Sequence, residues 1–460
     1  MNSGPPPIPA PIRRMKAATK AWLIILAIVV IVLSIFAGWH LWLYSKIRHR
    51  LAAVRAAREP ITLAELNRYY PEVPASSNAA VAYGQAFELI LKSSSSNMLE
   101  HFIELPSGAD PLPSDLRKQM EQAVAENQAA FHKLENAASQ TACRYPIDYG
   151  PGWAALLPHL SHLPKCSSLQ LCRGVLREQQ GDVSGAIDSI ALILHHSASL
   201  DSEPDLISVL IQHKLFGHAS ELLRWILNHR ELSQLELERV QQLFKRPEQP
   251  GRLERALIGE RCFILAVFSY KAGSILDVID PEYDNKLATI GIYVLRISGK
   301  LKEDEIRFLD RVSECRNALR LPLPDRLDRA EDIREDISRE AVPKKFILTG
   351  TMAPGFLKGI GRAAQDLARK RLIEIALAVE RYQLNKRGYP ASLAQLVPEY
   401  LAQIPNDPFS EGPLHYTPRN RGYTIYSVGP DRADDGGLKA IRNSPLKEVP
   451  TGDIIFSVGR

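Results

Sequence analysis

The stretch at residues 21–44, AWLIILAIVVIVLSIFAGWHLWLY, constrains this chain more than any other feature of its sequence. It carries no charged residue from Ala21 to Trp39, and about 20 apolar residues are enough for a helix to cross a bilayer. Aromatic residues suited to the two lipid–water interfaces stand at its ends, namely Trp22 and then Trp39, Trp42 and Tyr44. We predict a single transmembrane helix over residues 21–45, which ties the rest of the chain to a membrane.

A cleaved signal peptide is the alternative interpretation of this stretch. It fits less well, because the apolar run is long, Lys46, Arg48 and Arg50 follow it, and no small-x-small cleavage site stands at its end. Basic residues flank the stretch on both sides, so the positive-inside rule is nearly balanced and does not set the orientation. Residues 1–20 open with the Pro-rich run MNSGPPPIPAPI and are predicted to be disordered.

Composition places the rest of the chain among ordinary globular proteins. Its 460 residues are enough for about two to four domains, with 45% hydrophobic and 24% charged residues. The net charge of +5 is modest, and the basic residues are mixed with acids along most of the chain. This balance argues against a nucleic-acid-binding protein.

None of the five cysteines forms a CxxC pair, which gives no support to a zinc ribbon or a thioredoxin-like motif. They are Cys143, Cys166, Cys172, Cys262 and Cys315. The odd number leaves at least one thiol unpaired in a monomer. We expect thiols in the core, and the alternative is a disulfide among the first three in an oxidising compartment.

Residues 46–341 are predicted to form a helical body. Thr62 and Glu65 form a capping-box pattern that opens a short helix. One long helix is predicted over residues 113–140, because no helix breaker follows the Pro-Ser pair at its start. The turn REQQGDVSGAI (177–187) resembles the inner turn of a tetratricopeptide repeat, but no clear copy follows 34 residues later, so we prefer a plain helical hairpin. Further helices are predicted at 76–92, 231–244, 252–273, 302–320 and 325–340, the last as a solvated face of alternating acids and bases.

The pattern changes after a predicted linker at residues 342–360. One apolar stripe on a helix that runs to about residue 385 is formed by Ala364, Ala368, Leu372, Ile375, Val379 and Tyr382. Three short strand candidates follow at 413–418, 423–429 and 453–459. One helix on a small antiparallel sheet lets each bury the apolar face of the other. The predicted fold class is therefore mainly α, with a membrane helix, a helical body and a small α+β module at 361–460.

Four motifs of this module stand in a fixed order. They are ALAVERYQLNKRGYP, the L-x-x-L-V-P-x-Y-L segment, IPNDPF at 404–409 and YSVGPDRADDGG at 426–437. As a set they resemble the periplasmic domain of the major pseudopilin of type II secretion systems. The resemblance covers roughly a sixth of the chain, and it implies a helix packed on a three-stranded sheet on the exported side of a membrane.

The resemblance also implies that the loop after YSVG binds calcium, with Asp431, Asp434 and Asp435 at the matching positions. Calcium takes about six to eight oxygen ligands, which carboxylates and backbone carbonyls of a Gly-rich loop can supply. Arg432 stands among these acids. The alternative is a plain turn, in which Asp and Gly supply caps and positive φ angles.

The anchor departs from that family. Residues 22–44 contain no acid, no Gly-Phe-Thr-x-x-Glu processing pattern precedes them, and the membrane helix does not run directly into the module. We therefore expect that this chain is not processed and polymerised as a pilin subunit. It looks more like bacterial membrane-anchored proteins that carry a helical body and end in a pseudopilin-like piece.

No motif assigns an enzymatic reaction. The chain contains no HExxH, G-x-S-x-G or Walker A pattern and no G-x-G-x-x-G after a strand. The adjacent histidines 195–196 lie on a predicted helix and point about 100° apart, which disfavours a shared metal. The acids that would have to meet for hydrolysis are Asp148 in the aromatic loop at 145–153, Glu203 and Glu260.

We expect a non-enzymatic, single-pass membrane protein with its body on the exported face and with protein partners. A place near a secretion or pilus-like apparatus follows from the resemblance alone. The alternative is an envelope hydrolase built from dispersed residues of the body. Asp148, Glu203 and Glu260 in one cleft would favour the hydrolase, and dispersed, salt-bridged positions would favour the scaffold.

Overall fold

The computed structural model describes residues 17–101, 103, 105–245, 251–279, 286–341, 346–438 and 452–460. The N-terminal helices are α1 (Ala17–Ala56), α2 (Leu63–Tyr69), α3 (Ala79–Lys92), α4 (Ser96–Glu100), α5 (Ser114–Glu126) and α6 (Gln128–Ser139). The central helices are α7 (Pro158–Gln179), α8 (Val183–Ala198), α9 (Leu206–His229), α10 (Gln234–Phe244), α11 (Arg252–Ser269), α12 (Ala272–Ile279), α13 (Lys286–Ile297), α14 (Lys300–Ala318) and α15 (Asp325–Ala341). The C-terminal elements are α16 (Ile347–Met352), α17 (Pro354–Lys386), β1 (His415–Arg419), β2 (Gly422–Ser427) and β3 (Ile454–Gly459).

These elements confirm the predicted fold class. Over the residues just named, the chain is mainly α, has one long apolar helix at its N-terminal end, and has three strands in one antiparallel sheet of order β1-β2-β3. Short 3₁₀ turns lie at Ala75–Ser77, Gly152–Ala154 and Leu393–Leu396.

Helix α1 is longer than the apolar stretch and has two different halves. Its 40 residues span about 60 Å at 1.5 Å per residue. The first half is exposed on all sides, whereas Leu43 and Ile47 in the second half are buried against the body. Within the described part of the chain, α1 is the one helix long and apolar enough to cross a membrane. It begins at Ala17, so the last four residues of the predicted disordered segment 1–20 are helical, and residues 1–16 lie outside the described part.

The capping box at Thr62 and Glu65 is formed as predicted and starts α2. The single long helix predicted over 113–140 was wrong, because Asn127 separates α5 from α6. The buried Asn127 side chain donates to the Ala123 carbonyl (2.8 Å) and to Ser93 Oγ (3.0 Å). Asn side chains compete in this way with the helix backbone, which here leaves the regular helical conformation.

The predicted helical hairpin at 177–187 is confirmed. Helices α7 and α8 are antiparallel neighbours joined at Gly181, whose φ of +84° suits glycine. Asp182 then caps α8 by accepting from the Gly185 amide (2.8 Å). Helix α9 packs on both helices of this hairpin.

The segment 342–360, predicted as a linker, is largely helical where the structure describes it. Helix α17 runs without a break from Pro354 across the predicted module boundary. Gly359 lets α17 pack closely on the start of α9, because a Cβ there would lie 2.7 Å from Leu206 Cδ1. Residues 342–345 lie outside the described part.

The C-terminal sheet shares its core with the helical body. Strand β2 is buried along its whole length between β1 and β3, with Tyr423 opposite Val458. Helix α17 packs on β2 and β3 and also on α9 and α10. One apolar cluster extends from Leu66 in α2 to Val458 in β3. The module is therefore built into the body.

Candidate functional site

Two of the acids singled out in the sequence, Glu203 and Glu260, belong to a largely buried polar cluster at the start of α9. We call it the Glu203 centre, and it contains Glu203, Asp205, Glu260, His159 and Ser208. The Glu203 carboxylate accepts from Ser208 Oγ (2.5 Å) and pairs with His159 Nε2 (2.9 Å). The side chains of Glu203 and His159 are 0% and 5% exposed, so the pair is sealed from solvent.

Asp205 begins α9 and forms its cap. Its Oδ1 accepts from the backbone amides of Ile207 (2.7 Å) and Ser208 (3.3 Å), which have no partner within the helix. Burial and the neighbouring Glu203 carboxylate raise the pKa of Asp205 above its ordinary value. The sequence Glu203-Pro204 therefore precedes a helix, and Asp205 is the residue that starts it.

Glu260 reaches the same helix end from α11. Its Oε1 accepts from the Leu206 amide (3.2 Å), a third backbone donor at the start of α9. The preceding Gly259 makes this approach possible, because a Cβ there would lie 1.7 Å from the Pro204 carbonyl oxygen. Burial and the nearby Asp205 raise the pKa of Glu260. Three acids thus surround one helix N-terminus, where the helix dipole favours negative charge.

A layer of tyrosines closes the Glu203 centre. The Tyr70 hydroxyl accepts from the Tyr145 amide (3.0 Å) and donates towards Glu203 (3.5 Å). The Tyr145 ring stacks on His159 with ring centroids 4.2 Å apart, and its hydroxyl bonds to Ser199 Oγ (3.0 Å). Burial raises the pKa of both phenols well above the ordinary value. Neutral phenols therefore lie against the buried pair of Glu203 and His159.

Asp148 lies outside this centre. It is exposed on its loop, where it accepts from Asn67 Nδ2 (2.9 Å) and the Gly150 amide (2.8 Å). These bonds, with the Gly150 amide first, lower the pKa of Asp148. Of the three acids named in the sequence analysis, Glu203 and Glu260 thus lie at one helix end and Asp148 does not, and sequence reasoning missed Asp205, whose charge interacts with both. The only local signal was an Asp before an apolar run, the usual cap of a helix.

The described contacts of the Glu203 centre join groups of the protein to one another. Ser208 donates to the acid and makes no bond to His159, so the order of a nucleophile–base–acid relay is absent within the described contacts. Each acid instead holds a backbone or side-chain donor at the junction of α7, α9 and α11.

The adjacent histidines have separate environments, as predicted. His196 is buried and bonds through Nδ1 to the Tyr83 hydroxyl (3.0 Å), whereas His195 is exposed. Burial lowers the pKa of His196 to about 3, so its ring is neutral.

All five cysteines are free. Cys143 is half-buried and the other four are buried. The predicted core thiols are therefore confirmed, and the disulfide weighed for Cys143, Cys166 and Cys172 is absent.

Two aspartates of the loop at 429–438 accept hydrogen bonds from backbone amides. Asp431 accepts from the Gly452 amide (2.8 Å), and Asp434 accepts from the Gly436 amide (2.9 Å). Gly436 and Gly437 have φ angles of +71° and +78°, as a plain turn of Asp and Gly requires. Asp435 is exposed and lies between these turns.

A fourth acid, Asp453, joins this loop from the start of β3. It is buried and accepts from the amides of Gly437 (2.7 Å) and Asp435 (3.5 Å). Burial, and then the charges of Asp435 and Asp434, raise its pKa. Its distance from the motif along the chain hid it from sequence reasoning.

Arg432 does not neutralise this group of acids. Its guanidinium turns to α15 and pairs with Asp328. Among the described residues, the His415 ring also approaches these acids, with its Nδ1 3.8 Å from Asp434 Oδ2. The carboxylates serve separate backbone donors, and over the described residues no group of three or more His, Cys, Asp or Glu side chains is arranged around a metal position.

Comparison of the chain with protein-family models, curated proteins and solved structures gave no match. The pseudopilin resemblance therefore rests on the motif residues alone.

Proposed function

We propose that this chain is a single-pass membrane protein whose helical body and C-terminal module form one non-enzymatic interaction scaffold on the exported face. The continuity of α1 carries the proposal. The same unbroken helix is apolar and exposed in its first half and packed into the body in its second half.

The contacts of α1 support an anchor over a cleaved signal peptide. Leu43 and Ile47 lie one helical turn apart and face α14, and Arg50 follows on the same side. The Arg50 guanidinium forms two bonds with Asp310 in α14 (2.7 and 2.9 Å). A paired arginine–carboxylate fork fixes orientation as well as position. Signal-peptide cleavage near the end of the apolar stretch would cut α1 just before the half that packs against α14.

The Glu203 centre supports a scaffold over a hydrolase. A general acid or base must come within hydrogen-bond distance of a substrate atom. Glu203 and His159 are sealed behind Tyr70 and Tyr145, and Asp148 stands apart on the surface. Glu203, Asp205 and Glu260 each hold a hydrogen-bond donor at the start of α9, so no reaction is needed to explain their presence.

The proposals of an exported body and of protein partners rest on the pseudopilin resemblance. In pseudopilins the matching module lies outside the inner membrane, so the same side is proposed for this body. The resemblance directs the search for protein partners to secretion or pilus-like assemblies. A scaffold of this kind presents its partners with one rigid surface, because body and module share a core.

Calcium binding at the 429–438 loop is a separate part of the proposal. Asp431, Asp434 and Asp453 accept from backbone amides of one loop region, Asp453 also accepts from the Asp435 amide, and Arg432 pairs elsewhere. The raised pKa of Asp453 reflects, after burial, repulsion from its acidic neighbours. A divalent cation would relieve that repulsion, and carboxylate and carbonyl oxygens are the ligands that calcium prefers.

Topology is tested in cells that express the full chain. We expect the protein to stay in membranes washed with alkaline carbonate, to retain its apolar stretch when its mass is measured, and to be digested by protease added to spheroplasts. In Val30→Arg, a charge at the centre of the stretch costs about 3 kcal/mol and should weaken insertion, whereas Val30→Leu should not.

Each result of this experiment addresses a different claim. Release by carbonate would contradict the anchor. A mature chain that lacks the apolar stretch would make it a signal peptide. A body protected in spheroplasts and digested after lysis would place it on the cytoplasmic side and overturn the exported placement.

A further inference from the structure

Helix α13 presents an apolar face to solvent. Leu287, Ile290, Val294 and Ile297 follow one another at three- or four-residue spacing, so they lie on one side of the helix. They are between 56% and 75% exposed, and Tyr293 beside them is 49% exposed. A contiguous exposed patch of large apolar side chains marks an interaction surface.

The opposite side of α13 holds this face in place. Ile292 is buried and Leu295 partly buried in the apolar cluster formed with α11 and α14. The Arg296 guanidinium donates to the carbonyls of Tyr270 (2.5 Å) and Phe268 (3.3 Å) at the end of α11. A helix that is apolar on both sides yet docked through only one of them needs an apolar environment on the other.

The position of α13 beside α1 identifies that environment. His40 Nε2 lies 2.9 Å from the Ile297 carbonyl oxygen, at the point where the apolar stretch of α1 ends. The turn that follows α13 is equally close to α1, because a Cβ on Gly299 would lie 2.9 Å from Leu43 Cδ1 and 3.0 Å from Trp39 Nε1. If the apolar half of α1 crosses a bilayer, α13 lies at the level of its interfacial aromatic residues.

The charges around α13 suit lipid headgroups. No acidic residue occurs between Lys286 and Lys302, whereas this segment carries four basic residues. Lys302 Nζ lies 5.8 Å from the Tyr44 ring centroid, and Lys46 Nζ lies 5.4 Å from that of Trp42. Among these cations, Lys300 is paired with Glu303 (2.7 Å). Apolar side chains flanked by lysine and arginine are the pattern of helices that lie in the plane of an interface.

We infer that α13 is an in-plane membrane helix, and that its exposed apolar face enters the lipid–water interface beside α1. The inference rests on the proposed anchor and deepens it. The body then has two contacts with the membrane, a spanning helix and a surface helix, joined at His40 and Ile297. Two contacts restrict the rotation of the body about α1, so the scaffold presents one fixed side to its partners.

Photo-crosslinking in the full chain tests this inference. The chain is placed in nanodiscs of phosphatidylcholine and phosphatidylglycerol, with p-benzoylphenylalanine replacing one residue at a time. We expect illumination to add the mass of one phospholipid when the probe replaces Ile290 or Val294. Val30 in α1 is the positive control, and Leu235 is the matched negative control, because it is 76% exposed on α10, which packs on α8 and α17.

The outcomes separate the inference from the anchor beneath it. Lipid adducts at Val30 but none at Ile290 and Val294 would overturn the inference and leave the anchor in place. A crosslink from Ile290 or Val294 to protein would also overturn it and make this face a protein interface. Absence of lipid adducts at Val30 would overturn the proposed anchor and the inference together.

Discussion

The side chain of Asn228 pairs with the backbone around Gly459 as a neighbouring strand would. Its Oδ1 accepts from the Gly459 amide (2.7 Å), and its Nδ2 donates to the Ser457 carbonyl (3.1 Å). Strand β3 is one of the two edges of the sheet, so among the described residues these backbone groups have no strand beside them. A buried side chain from α9 thus closes the edge and fixes the module to the body.

Replacement of Asn228 by alanine should destabilise the protein by about 1–3 kcal/mol, because it leaves two backbone groups of β3 without these partners. Equilibrium unfolding of the full chain in detergent would measure this loss. Hydrogen exchange at the Gly459 amide should rise more than exchange in α3. Asn136→Ala, an exposed substitution on α6, should leave stability within about 0.5 kcal/mol of the parent. Equal exchange at Gly459 in parent and Asn228→Ala would contradict this assignment.

Local patterns predicted the elements of this fold well. The capping box at Thr62 and Glu65, the Gly-Asp turn at 181–182 and the apolar stripe of α17 each depend on residues within a few positions of one another. The strands also followed from short-range alternation and turn residues. The error at Asn127 arose where a buried side chain bonds to Ser93, 34 positions away along the chain.

Long-range pairs account for what sequence reasoning missed in the site. The bond between Asn228 and Gly459 joins residues 231 positions apart, and nothing near Asn228 announces it. Asp205 and Asp453 matter because other acids approach them in space. The apolar face of α13 is a further example. Its residue spacing predicts an amphipathic helix, but only the position of α13 beside α1 indicates that this face meets a membrane and not a protein core.

The acids at the start of α9 should make stability depend on pH. Burial and Asp205 raise the pKa of Glu260 above its ordinary value of 4.5, so the folded protein holds a proton that the unfolded chain releases. The stabilisation is complete below pH 4.5 and is lost as the pH rises through the raised pKa, by at most about 1.4 kcal/mol per pH unit for one proton.

Glu260→Gln removes this titration and keeps an acceptor for the Leu206 amide. We therefore expect the free energy of unfolding of the parent to fall relative to that of Glu260→Gln as pH increases from 4.5 upward. Glu238→Gln, on an exposed part of α10, is the control and should follow the parent. Parallel curves for the parent and Glu260→Gln would show that Glu260 has no raised pKa.

The cysteines should resist modification until the protein unfolds. Burial raises the pKa of Cys143, Cys172, Cys262 and Cys315 to about 12, and only the thiolate reacts readily with alkylating reagents. Mass spectrometry after iodoacetamide should show at most the half-buried Cys143 modified in the native chain. All five should react in denaturant without a reductant, because none is in a disulfide. If all five cysteines were alkylated only after a reductant was added, the assignment of five free thiols would be contradicted.

Calcium titration of the full chain tests the acidic loop in its native setting, because the module shares its core with the body. We expect saturable binding with a Kd of about 0.1–1 mM, the range of extracellular calcium modules. Affinity should rise with pH, since the raised pKa of Asp453 means that a proton must leave before this carboxylate can bind a cation. Tenfold excess of calcium over Kd would stabilise the fold by about 1.4 kcal/mol.

Variants of the loop show which acids hold the ion. Asp434→Asn with Asp435→Asn should abolish binding without a large loss of stability, because both side chains are exposed and an amide oxygen can still accept from Gly436. Asp332→Asn, an exposed acid on α15, should leave the titration unchanged. Absence of saturable binding by the folded parent would make the loop a plain turn held by Asp453. Its acids would then serve the sheet, and the pseudopilin resemblance would extend to the fold of the module without its metal.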